Sequence, residues 1–116
     1  MKAPIPKYEE DLIHEYIVRT YLIDILENDL NVINQSNFKL HEPYTHLVEH
    51  VLKKIRFELR DMKAEMKKLK IKVTDQKRVN EDFVQYDYFA HGYRGYNRYW
   101  DAALKMHGTR LLAKLQ

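Results

Sequence analysis

The chain has 116 residues, of which 45% are hydrophobic and 32% charged, with a formal net charge of +3. These values are typical of a soluble globular chain, and we expect a single helical domain over residues 1–116. The absence of cysteine excludes disulfides, thiolate nucleophiles and thiolate metal ligands. No apolar run suggests a signal peptide or reaches the roughly 18 residues of a membrane span, so we expect a cytoplasmic protein with no membrane partner.

The first predicted helix begins near Lys7 or Tyr8, after Pro4 and Pro6, and carries acidic residues in its first turn. Asn34, Ser36 and Asn37 end it. Its apolar residues recur at spacings of three and four and form a buried seam: Leu12, Tyr16, Ile23, Leu26, Leu30 and Ile33. A second apolar set widens this seam, so the helix should contact more than one neighbour: Ile13, Ile17, Leu22 and Ile25.

The second predicted helix begins at Pro43, which suits a first helical position, and runs to about Leu69 or Lys70. The connector before it is short, so the two helices should form a long antiparallel hairpin, with Phe38 and Leu40 packed under the turn. The apolar seam of this helix is regular throughout its length: Val48, Leu52, Ile55, Leu59, Met62, Met66 and Leu69.

A basic stripe runs beside that seam, and it comprises Lys53, Arg56, Arg60, Lys63, Lys67 and Lys70. Residues 1–42 contain four Lys or Arg against eight Asp or Glu, whereas residues 43–116 contain sixteen against nine. This asymmetry favours an acidic first helix lying along a basic second one. The alternative is that the stripe contacts the phosphates of a nucleic acid, which would make the protein an accessory or regulatory nucleic-acid-binding protein.

The C-terminal third is predicted as a bent, aromatic-rich helix, because apolar residues recur at helical spacing from Phe83 to Leu111 and Gly92 and Gly95 interrupt them. The alternative pairs a strand at residues 69–74 with one at residues 83–88, which gives a short β-hairpin at about 70–88 before the last helix. The predicted fold class is therefore mainly all-α, with this hairpin as an open alternative.

Eight of the fourteen aromatic residues lie between Phe83 and Trp100, more than one buried stripe of a helix can hold. Tyr, Trp and Arg are enriched at interface hot spots. We therefore interpret the segment as a protein interface in a non-catalytic interaction module that self-associates, as a dimer, or binds another protein. The interface residues are Tyr88, Tyr93, Arg94, Tyr96, Arg98, Tyr99 and Trp100.

Residues 46–50 match the H-x-x-E-H motif of inverted zinc peptidases, with His46 and His50 as metal ligands and Glu49 as general base. That class needs a further ligand and a much larger fold, so a solvated helix face is the preferred interpretation. No serine or threonine has a convincing local base, and three glycines form no phosphate-binding loop. We expect no enzymatic activity and no cofactor.

Short segments resemble small uncharacterised helical proteins of Bacillus-type bacteria and their phages. These segments are Asp29-Leu30-x-Val32-Ile33, Phe38-Lys39-Leu40, and the run from Lys72-Val73 through Lys77-Arg78, Phe83 and Tyr86 to Gly92-Tyr93. The resemblance covers most of the chain. It implies an intracellular accessory protein of a low-GC Gram-positive host or its prophage, and it assigns no activity to any residue.

Overall fold

The computed structural model describes residues 5–37, 39 and 41–116. The described elements, in chain order, are α1 (Lys7–Gln35), α2 (His41–Lys68), β1 (Lys72–Val73), β2 (Lys77–Arg78), β3 (Phe83–Ala90), β4 (Tyr93–Trp100) and α3 (Asp101–Leu115). The expected packing of Phe38 and Leu40 under the first turn falls outside the described residues.

The long helical hairpin is confirmed, because contacts between α1 and α2 run in opposite chain directions. The Arg19 guanidinium donates to Glu58 at 3.0 Å, and Arg56 donates to Glu27 at 2.8 Å. Arg19, the polar residue within the first apolar seam, is thus ion-paired across the hairpin. Such exposed or half-buried pairs contribute about 0–1 kcal/mol each, so they orient the hairpin more than they stabilise it.

The hydrophobic core stabilises this hairpin and attaches the rest of the chain to it. The predicted seam of α2 is confirmed at its centre, where Leu52, Ile55, Leu59 and Met66 are buried. On α1 the deepest residues come mostly from the set that was expected only to widen the seam: Ile13, Ile17, Val18, Leu22 and Leu26. The reason is that α1 packs against α2 and also against α3 and the sheet.

The prediction of a bent helix from Phe83 to Leu111 is wrong for residues 83–100. Residues 83–90 and 93–100 form an antiparallel β-hairpin, with Ala90 opposite Tyr93. His91 and Gly92 make the two-residue turn, and both have positive φ, at 53° and 77°. A type I′ turn requires this conformation at both central residues. Gly92 therefore makes a hairpin turn and does not bend a helix.

The alternative strand pairing is confirmed in outline. β1 pairs with β3, with Lys72 opposite Phe89 and Val73 opposite Tyr88. β2 pairs with β3 as well, through Lys77 and Gln85. Because β4 pairs with the whole of β3, β1 and β2 share the other edge of that strand. The fold is mainly helical with a four-stranded antiparallel sheet, which is more strand than the short hairpin that was expected.

One face of the sheet packs on the helices. Its residues are Val84, Tyr86, Tyr88 and Ala90 of β3, all buried. α3 follows β4 directly and packs against α1, where Gly108 lies beside the Tyr21 ring. Lys54 of α2 donates to the Leu115 carbonyl at 2.9 Å, so a cation lies at the negative end of the α3 dipole. Within the residues that the structure describes, no helix packs over the second face of the sheet, where Phe83, Phe89, Tyr96 and Trp100 are exposed.

Candidate functional site: the open face of the sheet

The side of the sheet that points away from the helices is the candidate site, and we call it the open face. Directly opposed residues of antiparallel strands project to the same side, so the strand register defines its members. They are Lys72, Lys77, Phe83, Gln85, Asp87, Phe89, Arg94, Tyr96, Arg98 and Trp100.

Four aromatic rings are exposed on the open face. Phe83 and Phe89 are 37% and 43% exposed, and Tyr96 and Trp100 are both 56% exposed. Phe83 lies opposite Trp100 at one end of the strand pair, and Phe89 lies opposite Arg94 at the other. Groups of exposed large rings on one face are typical of binding surfaces, which makes this face the candidate site.

Arginine side chains lie over two of these rings. The guanidinium carbon of Arg94 is 5.7 Å from the centre of the Phe89 ring, and that of Arg98 is 5.1 Å from the centre of the Tyr96 ring. Both distances are within the range of a cation–π interaction. Each pair presents a flat guanidinium group beside an aromatic face.

Asp87 is the one acidic residue among the ten positions of the open face, and its charge is fully engaged. It is only 7% exposed, although it points away from the helices. Its Oδ1 accepts a hydrogen bond from Gln85 at 2.7 Å, and its Oδ2 accepts from Lys77 at 3.0 Å and from Arg94 at 3.1 Å. The Gln85 hydrogen bond first, then that from Lys77, lowers the pKa of Asp87 to about 2.

Gln85 links this carboxylate to the second arginine. Its amide oxygen accepts from Arg98 Nη2 at 2.7 Å and from Arg98 Nε at 3.1 Å, while its amide nitrogen donates to Asp87. Gln85 is 8% exposed. The centre of the open face is therefore a continuous hydrogen-bonded chain from Arg98 through Gln85 and Asp87 to Arg94.

The structure divides the seven residues that were predicted as an interface. It brings Arg94, Tyr96, Arg98 and Trp100 together on the open face. Tyr93 lies beside the hairpin turn, opposite Ala90 and on the other side of the sheet, at 50% exposure. Tyr88 is 4% exposed and belongs to the core. Tyr99 also packs inward against that core. Neither Tyr88 nor Tyr99 contributes to the open face.

Tyr99 belongs instead to a polar cluster between the sheet and the helices. Its hydroxyl lies 2.7 Å from His14 Nδ1 of α1 and accepts from Asn97 at 3.1 Å. The His14 ring contacts the His107 ring of α3 edge-on, at 4.8 Å between centres. Burial raises the pKa of Tyr99 to about 12 and, with His107, lowers the pKa of His14.

Sequence reasoning missed the other six members of the open face: Lys72, Lys77, Phe83, Gln85, Asp87 and Phe89. A signal for four of the ten residues was present, because Arg94, Tyr96, Arg98 and Trp100 alternate with residues of the other face. This period of two is that of a strand. The helical spacing of the aromatic residues masked it.

The basic stripe lies on the helical hairpin, away from the open face. Its lysines and arginines are exposed, but Arg56 is paired with Glu27, and Lys70 lies beyond the end of α2. Part of the stripe lines a groove of about 810 Å³ between α1 and α2, together with Phe57. The stripe thus stays a second candidate surface, and no described contact links it to the sheet.

The motif at residues 46–50 lies in the N-terminal half of α2. His46, Glu49 and His50 are exposed there. Within residues 5–37, 39 and 41–116, no three side chains of metal-binding type come together. Over the same part of the chain, no helix combines the length and the apolar character that crossing a membrane requires.

Comparison with known proteins gives a family. The family model described as "YhjD protein" matches residues 4–115, nearly the whole chain. The chain belongs to the YhjD family. A protein of Bacillus subtilis (strain 168) named "Uncharacterized protein YhjD" is 30% identical over 102 residues, which is 88% of this chain and 84% of that protein. This match confirms the resemblance to small proteins of Bacillus-type bacteria. No solved structure matches the chain.

Proposed function

We propose that this YhjD-family protein is a non-catalytic binding module that holds a single-stranded nucleic acid on the open face of its sheet. The observation that carries the proposal is the composition of that face. Four exposed rings share the face with four cations, and the one carboxylate among them is already neutralised by its partners.

This composition suits unpaired nucleotides for two reasons. Bases stack on aromatic rings and guanidinium planes whatever their sequence, and each stack is worth about 1–3 kcal/mol by alanine substitution. Phosphates are attracted to the surplus positive charge, and their binding weakens with salt. A duplex keeps its base faces covered, so the rings of the open face favour single strands over duplex.

The test is a fluorescence titration, because Trp100 is the single tryptophan of the chain and lies on the open face. Titration with oligouridylate of roughly 12 nucleotides should quench this fluorescence, and binding should weaken as salt rises. Tyr96→Ala should weaken binding by about 1–3 kcal/mol.

The matched control is Phe57→Ala. Phe57 is an exposed ring with the Arg60 guanidinium 4.9 Å above it, the same kind of pair, but on α2. It should leave the affinity unchanged. Equal losses in the two variants, or no quenching at low salt, would contradict the proposal.

A symmetric dimer through the same face is the second candidate, since its exposed Tyr, Trp and Arg side chains are those of interface hot spots. Two copies face to face would bring four cations of each copy together. Dimerisation there should therefore strengthen with added salt, whereas nucleic-acid binding should weaken. Light scattering coupled to gel filtration at two salt concentrations separates the two functions.

A further inference from the structure

We infer that Gln85 and Asp87 are positioning residues, which hold the guanidinium groups of Arg98 and Arg94 in place on the open face before a ligand arrives. This inference rests on the proposed function of that face, and it adds which residues prepare it. It concerns two side chains that point away from the helices and yet are 8% and 7% exposed.

Burying polar groups at these positions is costly unless each is hydrogen-bonded. Gln85 and Asp87 bond to each other, and every other side-chain hydrogen bond they accept comes from a cation of the same face. Neither side chain packs in the core between sheet and helices. Their hydrogen bonds therefore act on the cations of the open face and not on the helical hairpin.

The charges along the hydrogen-bonded chain from Arg98 to Arg94 also suit a ligand that carries phosphates. Arg98 bonds to a neutral amide oxygen, so its positive charge is held in place without being cancelled. Asp87 is shared between Lys77 and Arg94, two cations for one carboxylate. The hydrogen bonds thus order the cations of the open face, and the face keeps a net positive charge that attracts phosphates.

Fixing an arginine in advance improves binding because the cost of ordering it is met during folding. An arginine loses side-chain rotamer entropy when it is immobilised. A side chain that is already ordered when the ligand arrives saves most of that cost. Removing the positioning hydrogen bonds should therefore weaken binding even where no ligand-contacting residue is changed.

Asp87→Asn tests this inference by the sign of its effect on oligouridylate affinity. Electrostatics alone predicts tighter binding, because the substitution removes a negative charge from a face that binds phosphates. Positioning predicts weaker binding, by roughly 2- to 12-fold for each arginine released. The matched control is Glu81→Gln, which removes an exposed carboxylate just before β3 that bonds to neither arginine. It should leave the affinity unchanged or raise it slightly.

Gln85→Met is a second variant that changes no charge, and it serves if Asp87→Asn does not fold. In the wild type, Gln85→Met should weaken oligouridylate binding. In the Arg98→Met variant the same substitution should have a much smaller effect, because both substitutions remove the same pair of hydrogen bonds. Equal effects of Gln85→Met in the presence and absence of Arg98 would overturn the inference.

Hydrogen exchange of the arginine Nε–H groups, measured by NMR without ligand, separates this inference from the proposed function. The Arg98 Nε–H should exchange slowly in the wild type and faster in Gln85→Met, while that of Arg60 on α2 is unchanged. If oligouridylate fails to bind but this protection is present, the nucleic-acid function fails and the positioning stands. An unprotected Arg98, or tighter binding by Asp87→Asn, overturns the positioning.

Discussion

The ring of Tyr88 lies directly over Gly95, the residue opposite it on the neighbouring strand. A methyl group at position 95 would collide with the hydroxyl end of that ring. Tyr88 is 4% exposed, so moving its ring away from position 95 would disturb the packing of the core around it. The glycine therefore allows an aromatic side chain to lie flat across β4, inside the core.

The first prediction is that Gly95→Ala destabilises the protein by about 1–3 kcal/mol, the usual cost of overpacking a core. Urea unfolding measures the change. In a Tyr88→Leu background the ring is absent, so the same substitution at position 95 should cost much less. An equal cost in both backgrounds would mean that the strain at Gly95 does not come from Tyr88.

The sequence predicted the helical hairpin well because its signals agree with one another. Spacings of three and four persist through both helices, the connector is short, and proline and acidic residues mark helix starts. Residues 52, 55, 59 and 66 are buried as their spacing indicates. Long amphipathic helices with polar edges have few competing interpretations.

The strands were harder to predict for a physical reason. β3 is the central strand, and residues 84–88 are all buried, on one face by the helices and on the other by arginine and lysine side chains. Its alternation of apolar and polar residues is confined to residues 84–88, because Phe83 and Phe89 place apolar rings on the polar side at both ends. Its turn is His-Gly, which lacks the Asn-Gly or Asp-Gly signature of hairpins.

The second prediction concerns Leu59, which is 6% exposed at the centre of the α2 seam. Leu59→Ala should destabilise the protein by about 2–5 kcal/mol, because it removes buried methyl groups and leaves a cavity. Phe57→Ala, on the exposed side of the same helix, should change stability by no more than about 0.5 kcal/mol. Denaturant unfolding of both variants tests which face of α2 is buried.

The third prediction concerns stability in acid. The native pKa of Asp87 is lowered to about 2 by hydrogen bonds from Gln85, Lys77 and Arg94, whereas an unfolded aspartate titrates near 4. A lowered native pKa stabilises the fold above the unfolded value, and that stabilisation is lost as pH falls from about 4 to about 2. Asp87→Asn should lose less stability across this range than the wild type. If the unfolding midpoints of the wild type and of Asp87→Asn fall equally between about pH 4 and about pH 2, the prediction is contradicted.

The fourth prediction concerns stability in alkali. Burial raises the pKa of Tyr99 to about 12, above the usual value near 10. Folding therefore favours the neutral phenol, and its contribution is complete below about pH 10 and is lost as pH rises toward 12. Tyr99→Phe should be less stable than the wild type at neutral pH, since His14 and Asn97 lose their hydroxyl partner. The difference should shrink above pH 10, as measured by urea unfolding at each pH.

The last prediction separates the two basic surfaces of the protein. Lys63 and Lys67 lie exposed on α2, whereas Arg94 and Arg98 lie beside the rings of the open face. If single strands bind to the open face, Lys63→Ala with Lys67→Ala should leave the salt dependence of oligouridylate binding unchanged. Arg94→Ala with Arg98→Ala should lower the slope of log affinity against log salt by about 0.7 for each phosphate that the variant no longer binds. Both double variants remove two positive charges, so a non-specific effect of net charge would change them equally. A reduced slope in the α2 variant alone would instead assign binding to the helical stripe.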